Sequence, residues 1–89
     1  MKTVWKYGLY FSPNLKITMP AGAQILSVQN QHDDLQLWAL VDTEAALETR
    51  TFTVLEKGEF KESYGNHLAT VQIRGFVWHV FETTPYVPI

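Results

Sequence analysis

Three adjacent side chains, His32, Asp33 and Asp34, put one imidazole and two carboxylates on a single short polar stretch. Nitrogen and oxygen donors of this kind suit a divalent cation. The plainer reading is a solvated turn, because aspartate favours turns through bonds to its own backbone. No second ligand group stands at metal-binding spacing, so the sequence specifies neither a metal site nor any other cofactor. His79 falls between Val77 and Phe81 in an alternating run. Its chemistry is that of a general base or anion ligand, weighed against an ordinary half-buried strand histidine with one hydrogen bond. His67 follows a turn and reads as exposed.

Covalent catalysis needs a hydroxyl or thiol held against a base. Ser27 and Ser63 lie in no strand–turn–helix elbow, and none of the patterns GxSxG, GxGxxG, HExxH or the phosphate-binding GxxxxGKS/T occurs. Asp42, Glu56 and Glu82 carry carboxylates, but their spacing does not bring any two together. These absences point away from an enzyme. Arg50 and Arg74 are the candidates for gripping an anion, since a guanidinium offers two parallel donors. The aromatic side chains, 13% of the chain, are the stronger signal. They include Trp5, Trp38 and Trp78, which alternation cannot place inward together. Aromatics fill small β cores, and they also anchor interfaces and stack on ligands. The candidate partner- or ligand-binding set is therefore Arg50, Arg74, Trp5, Trp38, Trp78 and His79. Trp38 and Trp78, in mid-strand apolar runs, are also expected to anchor the core, and Arg74 to be dispensable for folding.

The elements that must position these residues are short strands. Alternation and β-branched residues mark Thr3–Phe11, Leu15–Met19, Gln24–Gln31, Leu35–Asp42, Arg50–Glu56, His67–Ile73 and Phe76–Glu82. Ser12-Pro13-Asn14, Pro20-Ala21-Gly22, Lys57-Gly58 and Arg74-Gly75 are turn signals. Thr43–Thr49 carries good helix formers behind a capping Asp42 or Thr43 and is the only expected helix, two turns at most. Glu59–Asn66 reads as irregular. The fold class is all-β, a small antiparallel sandwich or barrel of about seven strands. Residues 1–82 form one β domain and residues 83–89 an extended tail.

With 89 residues the chain holds one domain with a small core. It has no cysteine, so neither disulfides nor thiolate-bound metal can reinforce it. Oligomerisation can, and a twofold homodimer is the simplest form. Leu35–Val41 and Phe76–Phe81 carry large apolar residues on both faces, which a partner, the tail or a closed barrel must cover. The net charge of −2 and the lack of any basic run argue against nucleic acid. No apolar run nears the ~18 residues of a membrane helix. The start MKTVWKYGLYF begins like a signal peptide, but Lys6 and Gly8 interrupt its apolar run, and it reads as a first strand.

The stretches VWKYGL, MPAGAQILSVQNQ, LWALVD, RTFTV and ATVQIRGFVWHVFE, from about Val4 to Glu82, resemble a small phage- and prophage-encoded domain family of unknown function. That family carries a glycine-histidine-proline turn after its fifth strand, where this chain reads KGEFKESYGN. The resemblance implies a virus-derived protein acting in bacterial cytoplasm and supplies no catalytic residue. The functional expectation is a non-catalytic module that binds a host or phage protein as a homo-oligomer. The alternative is a binder of a small nucleotide signal.

Overall fold

A computed structural model of the chain describes residues 1–56 and 65–83. Seven strands are described: β1 (Lys2–Gly8), β2 (Ser12–Pro20), β3 (Gln24–Gln31), β4 (Asp34–Asp42), β5 (Leu47–Glu56), β6 (Asn66–Ile73) and β7 (Phe76–Thr83). They form two antiparallel sheets, ordered β1-β4-β3 and β2-β5-β7-β6. The sheets pack together as a sandwich, and no ladder closes them into a barrel among the described residues. The expected Lys57-Gly58 turn, most of Glu59–Asn66, and the tail beyond Thr83 lie outside the described residues.

Alternation sets the core. On β4, Leu35, Leu37, Ala39 and Val41 point inward and are buried. On β5 and β7, Phe52, Val54 and Val80 meet them, and Met19 and Leu15 of β2 complete the interior. Burying such side chains stabilises the fold by roughly 1.5–3 kcal/mol each. β3 runs beside β6 without pairing to it, tied by the Asn30 amide donating to the Gln72 carbonyl at 3.4 Å.

Thr43–Thr49 is not a helix. Asp42 does cap a first turn, its Oδ1 accepting the Glu44 N–H at 3.0 Å and its carbonyl accepting the Ala45 N–H at 3.1 Å. The Glu44 N–H also holds the Asp42 carboxyl below its ordinary range. The chain then leaves the helical path, because the Ala46 carbonyl takes the Ala21 N–H at 2.7 Å and Leu47 pairs with Pro20. A helix of two turns does not repay its nucleation, whereas extending the β5 ladder by three residues satisfies the same backbone groups at once.

The first strand is also shorter than expected. It ends at Gly8, and Leu9 turns inward with its N–H on the Leu35 carbonyl at 2.9 Å, which leaves Tyr10 and Phe11 exposed. Gly65 has no latitude for a side chain, since an added Cβ would overlap the Glu82 backbone.

Tyr7 packs its ring against the core, yet its buried hydroxyl has no hydrogen-bond partner among the described residues. Burial also pushes its phenol pKa up. An unpaired buried hydroxyl costs about 1–3 kcal/mol. Tyr7→Phe is therefore expected to melt at or a few degrees above wild type. A fall of more than about 5 °C, some 1 kcal/mol for a domain of this size, would show that the hydroxyl is bonded.

Candidate partner-binding cleft

Two hairpin tips meet at one end of the sandwich. Gln31 pairs with Asp34 and Ile73 with Phe76, so each loop holds two residues, His32-Asp33 and Arg74-Gly75. All four have positive φ: 53° and 68° in the first loop, 50° and 84° in the second. This is the type I′ geometry that matches strand twist. Glycine adopts it readily, and aspartate and histidine more often than other side chains, while arginine does so at a cost. The Asn30 side chain steadies the first loop, its Oδ1 accepting the Asp33 N–H at 2.8 Å. Arg74 then donates from Nε to Asp33 Oδ2 at 2.9 Å and ties the two tips together.

Behind the tips, the β1–β2 connection brings Leu9, Tyr10 and Phe11 across the inner ends of Leu35, Val54, Ile73 and Trp78. The result is a half-open cavity of about 180 Å³, lined also by Asp33 and Asp34. Phe11 meets Trp78 at a centroid distance of 5.6 Å, tilted by 58°, and Phe76 lies 6.4 Å from the same indole. Both spacings are favourable for aromatic pairs. Trp78 leans on the core, while Tyr10, Phe11 and Phe76 are 67%, 44% and 53% exposed. An apolar surface of this kind held open to water is the exception in a stable monomer.

The remaining candidates are scattered. Arg50 faces inward from β5. Its Nε and Nη2 grip Glu82 at 2.6 and 2.7 Å, and its Nη1 donates to the Ala23 carbonyl at 2.5 Å. The Glu82 bonds push its pKa up, and the three contacts leave the guanidinium occupied, so it serves the fold and is not an open anion site. Trp5 lies on the edge strand β1, 40% exposed. Trp38 does not anchor the core. It shares the outer face of β4 with Leu40, because the inner face belongs to the odd-numbered residues. Trp78 packs on the core only in part, its other side lining the cleft.

His79 has an unexpected partner set. Its Nδ1 lies 3.0 Å from Thr70 Oγ1, which lies 3.0 Å from His67 Nε2, and His67 packs edge-on against Phe81 at 5.2 Å. His67 and Thr70 are an odd number of residues apart and would face opposite ways in a regular strand. The bulge between His67 and Ala69 brings them to one face. A hydroxyl between two imidazoles is a nucleophile–base pair in outline, but it lies on an open sheet face.

His32, Asp33 and Asp34 do not converge, and no group of three His, Asp or Glu side chains does so among the described residues. Arg74 is 75% and Asp33 47% exposed, and such pairs contribute under about 1 kcal/mol. Arg74→Asn removes that pair but supplies the residue that best suits a type I′ turn before glycine. It is expected to leave the melting temperature within a few degrees of wild type; a large fall would assign the ion pair a structural role.

A model of a domain of unknown function, DUF7352, matches residues 1–88. The chain belongs to that family. No curated protein and no solved structure shows significant similarity to it. The match covers all seven described strands. No helix among the described residues is long and apolar enough to cross a membrane.

Proposed function

We propose that this chain is a non-catalytic interaction module that binds a host or phage protein through the aromatic cleft, as a homo-oligomer. The observation that carries the reading is the exposed trio Tyr10 and Phe11, on the β1–β2 connection, and Phe76, at the start of β7, gathered beside Trp78. Large aromatics on a rigid support are the usual anchors of protein interfaces, and the strands beneath keep the ordering cost of binding low. The phage setting and the bacterial cytoplasm rest on the likeness of the strand pattern to phage-encoded domains.

The alternative, a small nucleotide ligand, is less well supported. The aromatic cleft, at about 180 Å³, is smaller than the roughly 300–1,000 Å³ of most small-molecule sites. Asp33 and Asp34 among its lining residues would disfavour phosphate, and Arg74 is already bonded to Asp33.

A photo-reactive residue in place of Tyr10, with Lys16 on the edge strand β2 as control, tests the reading in infected cells. Position 10 is expected to give a discrete protein adduct that position 16 does not. Equal labelling from both, or none from position 10, would contradict it.

A further inference from the structure

The sandwich has a second apolar surface, remote in character from the cleft. On the outer face of β1-β4-β3, Val4 pairs across to Leu40, and Trp38 lies between Lys6 and Ser27. β3 carries an extra residue between Ile25 and Ser27 relative to β4, and this bulge turns Leu26 out to 48% exposure, close to the 49% of Val4. Together they frame an open depression of about 350 Å³ over Trp38. A two-layer sandwich needs only one covered face per sheet, so this face has no partner within the described chain.

We infer that this face is where two copies of the chain meet, about a twofold axis. The inference deepens the homo-oligomer part of the function proposed above by assigning its surface. The polarity of the rim favours a second copy as the occupant. An isologous contact presents the same patch on both sides, so the patch must complement itself. Around the apolar centre stand Gln24, Gln29, Gln31 and Gln36. Each amide carries both donor and acceptor and can pair with its own kind. A charged partner would be poorly served. The cation beside the patch, Lys6, already donates to Gln31 Oε1 at 2.8 Å, and at the far end of the sheet Asp42 is held by the N-terminal ammonium at 3.3 Å.

Sheet geometry makes the arrangement specific. Aligned sheets stack about 10 Å apart. A twofold axis parallel to β4 lays β1 of one copy over β3 of the other. Lys6 then meets a strand of glutamines and not a second lysine, while Trp38 and Leu40 sit near the axis.

Sedimentation velocity of the full chain at micromolar concentrations tests the face. Wild type is expected at twice the 10.2 kDa of one chain, equally at low and high salt, because an apolar contact is little screened. Leu26→Lys and Val4→Lys are each expected to weaken the dimer at least tenfold with an unchanged circular dichroism spectrum. Both sites are half exposed and accept lysine in the monomer, and either variant alone suffices. A wild-type mass of one chain throughout would overturn both the face and the homo-oligomer, leaving the cleft reading intact. A dimer that survives both lysines would overturn the face alone.

Discussion

Phe52→Ala is expected to leave little folded protein at physiological temperature. Phe52 has no solvent exposure and sits mid-strand on β5, between Leu15 of β2 and Glu82 of β7. Truncating a buried phenylalanine costs about 3–5 kcal/mol, from lost burial plus the cavity left behind. Total stability for a chain of this length is roughly 4–13 kcal/mol, and small domains lie toward the lower end. Neither a disulfide nor a thiolate metal site makes up the loss. Thermal melts followed by circular dichroism should show the midpoint falling by at least about 12 °C. A fall under about 5 °C would mean that the two sheets do not meet at Phe52.

The second large effect is expected at Arg50. The side chains of Arg50 and Glu82 are only 18% and 19% exposed. Arg50→Ala strands a largely buried carboxylate and leaves the Ala23 carbonyl without its donor. Losing one partner of such a pair costs roughly 2–4 kcal/mol, mostly as the penalty on the group left behind. Glu82→Ala should cost a similar amount, and the double variant clearly less than the two singles together. Simple additivity would contradict the pairing. Because the Arg50 pKa is raised, its share of the stability is fully present at neutral pH. That share is lost only in strong alkali, as pH climbs past the raised guanidinium pKa. The penalty should therefore be the same at neutral and mildly alkaline pH.

The same two residues mark what the sequence could express. Alternation identified the strands and the inward set on β4, because a period of two is a local property of the chain. It also separated Trp38 from that set, yet an apolar mid-strand tryptophan still reads as core until the second sheet is placed. Arg50 and Glu82 stand far apart in the chain, and only the β5–β7 register brings them together. Thr43–Thr49 shows local propensity losing to a ladder formed with residues more than twenty positions earlier. The His67–Thr70–His79 chain and the exposure of Leu26 both depend on bulges, which shift the facing of every residue beyond them and leave no mark in the alternation. For the cleft, Arg74-Gly75 and the polar His32-Asp33 turn were legible. Their side-by-side placement, and the retreat of Tyr10 and Phe11 from β1, belong to the packing of one sheet on the other.

The most direct test of the cleft as the binding surface is calorimetric titration of the protein partner captured at position 10 against wild type, Phe11→Ala and Leu26→Lys. Phe11 is outside the buried core and 44% exposed, so its truncation should leave the fold intact. As an interface anchor it is expected to contribute about 2 kcal/mol, close to a thirtyfold loss of affinity, while Leu26→Lys, on the other surface, should bind the partner like wild type. Wild-type affinity in Phe11→Ala would contradict the account.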